Sequence, residues 1–172
     1  SELKARSRAG GHFFMSSNQQ FPANNGAVLT GAQIIKAVMT SAAEAEIGAM
    51  FINAREAVPA RKTLEEMGHP QPKTPMQTDN SAAHKVVTNN VQPKRTKAMD
   101  MCFHWLRDQE CQEQFQIYWQ PCKLNYADYW TKHHLAKHHK NIRREFLTPH
   151  IVLEMLRMEQ KQKQRKYAAA AA

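Results

Sequence analysis

The fold prediction is decided by one short run, Met76-Gln77-Thr78-Asp79-Asn80-Ser81. Its first four residues have the pattern of a short strand that ends in an acid. Asn80 and Ser81 follow at once, and both are side chains that cap helices, here a short helix over residues 82–88. Strands that alternate with helices are typical of α/β proteins. The run therefore predicts an α/β fold with an acid at a strand end.

Strands are predicted before this run. A glycine-marked apolar stretch covers residues 10–15, and two short strand candidates follow at residues 27–29 and 34–38. The polar residues 16–26 between them contain proline and an Asn-Asn-Gly sequence, which break regular structure. Residues 10–39 are therefore predicted to be mainly extended.

A long helix is predicted to begin at Thr40 or Ser41. Residues 41–44 read SAAE and fit a capping box, in which the serine hydroxyl accepts from an amide and Glu44 bonds back to the cap. Pro59 either kinks this helix or separates it from a second one, and Gly68 ends the helical pattern. The apolar stripe at helical spacing is Ile47, Met50, Phe51, Ala54 and Val58.

The second half of the chain predicts a helix over residues 98–112, a strand over 115–119 and a short helix over 125–134. We expect aromatic residues Trp105 and Trp119 to fill the core. The whole order is strands, helix, strand, helix, helix, strand, helix. This alternation favours an α/β sandwich with helices on a mixed sheet, and 172 residues suffice for one such domain. The expected stripe of the 98–112 helix is Met101, His104, Trp105 and Asp108, flanked by Phe103 and Leu106.

Charge and cysteine content limit the partner and the compartment. Lys and Arg number 24 against 15 Asp and Glu, and a net charge of +9 favours nucleic acid as partner. Membrane spans need about 18 consecutive apolar residues, and the sequence has no such run. The 3 cysteines form no CxxC pair, which favours a reducing intracellular compartment, cytoplasm or nucleus.

Four sequence strings, in order, carry a family resemblance. They are SAAEAE at 41–46, QTDNS at 77–81, KRTKAMD at 94–100 followed by FHWLR at 103–107, and NYADYWTK at 125–132. With this spacing, residues 1–149 resemble the ribonuclease H domain of copia-type retrotransposon reverse transcriptase polyproteins. The resemblance implies a ribonuclease H-like mixed sheet flanked by helices. It also implies hydrolysis of the RNA strand of RNA–DNA hybrids with two Mg²⁺ ions.

The resemblance assigns the catalytic and metal-binding acids to Glu46, Asp79 and Asp128. Glu44 is a rival for the role of Glu46, and periodicity does not separate them because they flank the apolar stripe on opposite sides. The resemblance favours Glu46, since Glu44 has the capping-box role available. Two-metal hydrolysis needs several carboxylates, because Mg²⁺ prefers oxygen ligands and two dications about 4 Å apart repel each other.

The family's first acid lies in a strand before the Gly-Gly string, and here Glu2 is the only acid before Gly11. We therefore expect the first strand to be missing or incomplete and this fragment to be inactive. The missing Asp is either upstream in the native polyprotein or absent from a decayed or repurposed copy. Departures from family habit favour decay: Cys102, Gln116 and Gln120 stand where arginine is common, and Cys122 where glycine is usual.

The alternative function is a non-catalytic, ribonuclease H-like subunit that binds nucleic acid or has a structural role in a larger assembly. An Asp encoded just upstream of Ser1 would favour the enzyme, and a native start near Ser1 the subunit. On either interpretation, phosphates could be bound by a set of basic residues or these could be merely solvated: Lys94, Arg95, Lys97 and Lys132.

Two features of the C-terminal part have a functional and a plainer interpretation. His134 and His138 are four residues apart and, with Cys122, could bind a transition metal, or they belong to a basic tail. Residues 150–167 form a basic amphipathic segment that either docks on a protein partner or is a frayed tail. Residues 168–172 are all alanine and are interpreted as a linker or placeholder.

Overall fold

The computed structural model describes residues 6–17, 19, 21–39, 41–88 and 97–170 of the chain, without the side chains of residues 97–100, 150 and 167–170. Within these ranges the chain is a mixed α/β protein with two two-stranded sheets and six α-helices. The predicted α/β class is therefore confirmed at this level. No helix of the described residues is both long and apolar enough to cross a membrane.

The first sheet is antiparallel and pairs β1 (Arg8–Phe14) with β2 (Ala27–Ile34). The prediction of two separate strands at 27–29 and 34–38 is wrong. A single strand runs from Ala27 to Ile34. Its pairing with β1 is regular from Arg8 to Phe13, so the strand continues through Gly31 without a break. Beyond it, Ile35 is 4 % exposed and packs near Gly48 of the following helix, while its amide still donates to the carbonyl of Ser7 at 2.9 Å.

The long helix α1 (Ala42–Glu66) begins and ends as its sequence predicts. The Ser41 hydroxyl accepts from the amide of Glu44 at 3.2 Å. At the other end Gly68 has φ +88°, its amide bonds to Glu65 and the amide of His69 bonds to Leu64, which is a Schellman motif. Pro59 lies inside the helix and does not divide it.

The second sheet is parallel and pairs β3 (Thr74–Thr78) with β4 (Phe115–Trp119). Helices α2 (Ser81–Thr88) and α3 (Lys97–Cys111) connect the two strands. Asn80 caps α2, because its Oδ1 accepts from the amides of Ala82 and Ala83. The core formed by α1, α2, α3 and β4 includes Ile47, Met50, Ala54, Val87, Phe103, Leu106, Phe115 and Ile117.

Two predictions about this half concerned side-chain burial and were wrong. Met101 is 81 % exposed, and the inward face of α3 is formed by Phe103 and Leu106, because α1 lies on that side. Trp119 is 45 % exposed, because it is the last residue of β4, and its indole N–H reaches the carbonyl of Asp79. Trp105 does pack against the core, edge-on to Phe51.

The C-terminal part is more helical than predicted. The expected helix over 125–134 is reduced to α4 (Asp128–Thr131), after a 3-10 turn at Cys122–Leu124. Two further helices follow, α5 (Ala136–Leu147) and α6 (His150–Ala170). The guanidinium of Arg157 on α6 binds Glu145 on α5 at 3.1 Å, and Glu145 also accepts from the Tyr126 hydroxyl. This chain of contacts fastens α6 to the residues beside α4.

Candidate acidic site at the end of the parallel sheet

Three elements bring acids to the end of β3. Asp79 follows β3 directly, Asp128 is the first residue of α4, and Glu46 lies in the first turns of α1. Asp128 is positioned by the preceding turn, in which Asn125 Oδ1 accepts from the amide of Ala127. Residues that are 33 to 82 positions apart in sequence thus lie near one point.

Thr78 connects Glu46 to this strand end. Its side chain is fully buried, and its hydroxyl donates to Glu46 Oε1 at 2.9 Å. The same hydroxyl oxygen accepts from the amide of Asn80 at 3.2 Å. A threonine at the last strand position therefore orients both a carboxylate on α1 and the turn that carries Asp79.

Negative charge is crowded around Glu46. Burial raises the pKa of this carboxyl above its usual value, and the nearby Asp79 and Asp128 raise it further, while the bond from Thr78 opposes them. A cation placed among these groups would offset the repulsion. Glu44 has a different position: its amide is bonded to the cap of α1.

Cys122 is a member of the site that the sequence did not identify as such. One ligand atom each from Asp79, Cys122 and Asp128 lies within 4.8 Å of the others. The Cys122 thiol donates to Asp128 Oδ2 at 3.0 Å, and this bond, with some burial, raises the pKa of Cys122 to about 11. Its departure from family habit was the available signal, since the larger side chain stands where glycine is usual.

Lys132 lies in the site and pairs with an acid. Its ammonium is 2.5 Å from Asp128 Oδ2, and this contact raises the pKa of Lys132. Lys94 and Arg95, two of the predicted phosphate contacts, lie outside the described residues. The backbone of Lys97 starts α3, and its side chain lies outside the described part of the structure.

The histidines form a separate cluster on Tyr129. The rings of His134 and His138 stack with centroids 4.3 Å apart, and the Tyr129 hydroxyl contacts His139 Nδ1 at 2.6 Å. Within the described part of the chain, the group with metal-ligand spacing is the one at Asp79 and does not include them. The transition-metal hypothesis required Cys122 to lie beside His134 and His138. Cys122 instead lies beside the acids Asp79 and Asp128.

The donor set fits a divalent cation in part. Asp79 and Asp128 offer the oxygen ligands that Mg²⁺ prefers. The thiol of Cys122 is a soft ligand and does not suit Mg²⁺, and Lys132 competes for the same oxygen of Asp128. Glu46 is not in the group of mutually close ligand atoms.

Comparison with known proteins gives one informative similarity. Over 117 residues the chain is 27 % identical to the retrovirus-related Pol polyprotein from transposon TNT 1-94 of Nicotiana tabacum. The match covers 68 % of this chain and 9 % of the polyprotein, so the chain corresponds to a small part of that protein. No protein-family model matches the chain. No solved structure matches it either. The similarity supports an origin in a retrotransposon polyprotein.

Proposed function

We propose that this chain is the ribonuclease H-like part of a retrotransposon polyprotein, which hydrolyses the RNA strand of RNA–DNA hybrids. The observation that carries the proposal is the approach of Asp79 and Asp128 at the end of β3, with Glu46 near enough that both raise its pKa. The order of the sequence strings around these acids supports the same assignment, as does the similarity to a Pol polyprotein.

Each acid has a distinct part in the proposed site. Asp79 and Asp128 would hold divalent cations, and Glu46, oriented by Thr78, would complete the ligand set from α1. Bound Mg²⁺ would supply an activated water and stabilise the leaving oxygen of the phosphodiester. Lys132 must release Asp128 before that carboxylate can act as a ligand, and Lys132 is then free to contact a phosphate.

The fourth acid of such a site is proposed to come from another segment of the polyprotein. Three carboxylates around two dications leave a net positive charge, so metal affinity should be low until another carboxylate is added. The isolated chain is therefore expected to be inactive, and an extended chain active.

Cleavage of a labelled RNA–DNA hybrid in Mg²⁺ tests the proposal. We expect the chain extended by its native upstream residues to cut the RNA strand. Asp79→Asn and Glu46→Gln in that extended chain should abolish cutting, whereas Glu44→Gln, on the same helix turn, should not. If the extended chain is folded and cuts nothing, the catalytic proposal fails.

A non-catalytic role is the second candidate, and one observation favours it. Both the Cys122 thiol and the Lys132 ammonium bind Asp128 Oδ2, so the oxygen that a metal would use is already engaged. If the role is non-catalytic, the chain should bind hybrids equally well with and without Mg²⁺. The double variant Cys122→Gly and Lys132→Ala, in which both groups that engage Asp128 are removed, should still cleave no hybrid. Metal-dependent cutting by the extended wild-type chain would exclude it.

A further inference from the structure

A cavity of about 330 Å³ lies between α4 and α5, and we call it the α4–α5 pocket. It is lined by Tyr129 and Trp130 of α4 and by five residues of α5. Asp128 precedes Tyr129 in α4, so the pocket lies next to the acidic site but uses other side chains. Small-molecule sites have volumes of roughly 300–1,000 Å³, so the pocket suits a ligand about the size of one nucleotide.

One face of α5 forms the second wall of the pocket. His139, Arg143 and Leu147 follow one another at intervals of four residues, and Lys140 lies three residues before Arg143. Residues at these spacings are neighbours on a helix surface. All four line the pocket together with the buried ring of Phe146. The sequence of α5 thus places basic side chains beside an apolar one on the face that meets α4.

Aromatic rings form the inner part of the pocket and basic groups form its rim. Phe146 is 9 % exposed, and Tyr129 and Trp130 are half-buried, whereas Lys140 and Arg143 are exposed. Neither cation forms an ion pair with an acid among the described residues. No carboxylate of the described part of the chain lines the pocket. Such a pocket suits a ligand that combines a flat ring with negative charge.

Trp130 is the ring best placed to stack on a ligand. It meets Tyr129 edge-on with centroids 5.0 Å apart, and Phe146 edge-on at 5.4 Å. No ring among the described residues is stacked on it, whereas Tyr129 is stacked on His134 with their planes 8° apart. The indole N–H of Trp130 is also buried without a hydrogen-bond partner in the described structure. A nucleobase offers both a face for stacking and carbonyl oxygens that accept from such a donor.

The rings of the pocket are held in place by contacts within the chain. The Tyr129 hydroxyl contacts Nδ1 of His139 at 2.6 Å, and the ring centroids of Tyr129 and Phe146 are 4.7 Å apart. The hydroxyl of Tyr126, before α4, donates to Glu145 of α5 at 2.9 Å. Because these side chains are already ordered, a ligand that binds between α4 and α5 loses little free energy to ordering them.

We propose that the α4–α5 pocket binds one unpaired nucleotide of a single-stranded nucleic acid. The base stacks on Trp130, and the adjoining phosphate is bound by Lys140 and Arg143. Stacking depends little on which base is present, so the pocket recognises an unpaired nucleotide and not a sequence. An acidic peptide would satisfy the basic rim but would leave the ring of Trp130 unused. The proposal goes beyond the hydrolysis of a paired hybrid and does not depend on it.

Three fluorescein-labelled probes test the pocket by fluorescence anisotropy with the wild-type chain in EDTA. They are a single strand of eight thymidine nucleotides, the same strand with every base removed, and an oligoglutamate of equal charge. The thymidine strand should bind at least about tenfold more tightly than the other two, because stacking adds affinity that phosphate contacts alone do not provide. If the abasic strand or the oligoglutamate binds as tightly as the thymidine strand, the proposal is wrong.

Two double variants of α5 locate the binding. Lys140→Gln with Arg143→Gln removes both cations of the rim and should weaken binding of the thymidine strand about tenfold or more, the effect of losing charged hydrogen bonds. Lys137→Gln with Arg144→Gln removes the same charge from exposed positions of the same helix outside the pocket, and should change binding little. Equal weakening by the two double variants would assign the binding to net charge and overturn the proposal.

Tryptophan fluorescence gives a second readout of the same pocket. Stacking of thymine on Trp130 should quench the emission of the wild-type chain. Trp130→Phe keeps an aromatic ring in the pocket and should remove this quenching. Trp119 is 45 % exposed and lies outside the pocket, so Trp119→Phe is the matched control and should retain it. Quenching that persists in Trp130→Phe would place the base elsewhere and contradict the proposal. None of these measurements requires hydrolysis, so their outcome is independent of the proposed nuclease activity.

Discussion

Arg61 is a buried cation that joins three segments of the fold. Its guanidinium donates to the carbonyl of Pro72 at 2.6 Å, to the Thr74 hydroxyl and to Gln114 Oε1, and it lies over the ring of Phe115. The end of α1 is thereby tied to the starts of β3 and β4. The planar guanidinium satisfies these acceptors together, which an ammonium group cannot do.

Arg61→Lys is expected to destabilise the protein by about 1–3 kcal/mol, the cost of leaving buried acceptors without a donor. Urea denaturation followed by circular dichroism measures the change. The neighbouring Lys62 is exposed, and Lys62→Arg serves as the control that should change stability little. Equal effects of the two variants would show that the Arg61 contacts contribute nothing net.

Glu46 predicts a specific pH dependence. Burial raises its pKa above the usual 4.5, so the folded chain holds the proton of this carboxyl more strongly than the unfolded chain does. Its contribution to stability is then full below pH 4.5 and is lost as the pH rises through the raised pKa. Glu46→Gln cannot ionise, so its stability relative to wild type should increase between pH 4.5 and neutral pH.

The exposed Glu56 on the same helix provides the comparison for this experiment. Urea denaturation midpoints are measured from pH 4 to pH 8 for wild type, Glu46→Gln and Glu56→Gln. If the difference between Glu46→Gln and wild type does not grow with pH, the charge crowding at this site is absent.

The sequence predicted the three acids of the candidate site but not the groups around them. The position of Asp79 at a strand end could be predicted because a strand precedes it and a helix cap follows it. Glu46 and Asp128 were assigned to the site only by the family resemblance. Cys122 and Lys132 reach Asp128 through a 3-10 turn and a four-residue helix, elements too short to have a periodic signature. The network on Asp128 was therefore beyond prediction from pattern alone.

At the scale of elements, two adjacent glycines let helices approach β1 closely. A methyl group on Gly10 would collide with the carbonyl oxygen of Ala127 and lie 2.7 Å from Thr131 Cγ2. One on Gly11 would lie 2.7 Å from Asn53 Oδ1 of α1. The strand is thus held between α4 on one side and α1 on the other.

Gly10→Ala is expected to destabilise the protein by about 1–3 kcal/mol, because backbone atoms cannot yield as a flexible side chain can. It should also move α4, and hence Asp128, away from Asp79. Thermal unfolding measures the first effect. Gly31→Ala is the control, since a methyl group there meets only the amide nitrogen of Gly11 at 4.0 Å. A stable Gly10→Ala protein would show that α4 does not pack on β1.

Elements with local signals were predicted well, and elements set by distant partners were not. Helix α1 has an N-terminal cap, an apolar stripe and a glycine after its last turn, and both its start and its end were predicted from these signals. The extent of β2 depends on its register with β1, and α5 lacks an N-terminal capping side chain, so neither had a sufficient local signal. Burial on α3 depended on which of its faces meets α1.

At the scale of the whole molecule, alternation of strands and helices was enough to predict a mixed α/β class. It was not enough to predict two separate sheets, because which strand edges pair is a property of contacts between distant segments.

Charge is distributed unevenly over the molecule. Residues 136–170 of α5 and α6 carry nine Lys and Arg against three Glu, which is six of the net +9 charges. The acids at the end of β3 make that region locally negative until a cation binds. The C-terminal helices, and not the acidic site, should therefore provide most of the attraction for a nucleic acid.

Neutralising the exposed Lys161, Lys163, Arg165 and Lys166 of α6 to glutamine should weaken hybrid binding and lower its salt dependence. Each phosphate that the protein no longer neutralises reduces the slope of log K against log salt by roughly 0.9, so a reduction of about 2–4 is expected. The control neutralises four exposed lysines outside α6: Lys36, Lys62, Lys85 and Lys123. Both variants remove the same charge, so a purely global attraction predicts equal effects, whereas an interface on α6 predicts a reduced slope in the first variant alone. Equal slopes for the two variants would therefore assign the binding to net charge and leave α6 without a specific role in it.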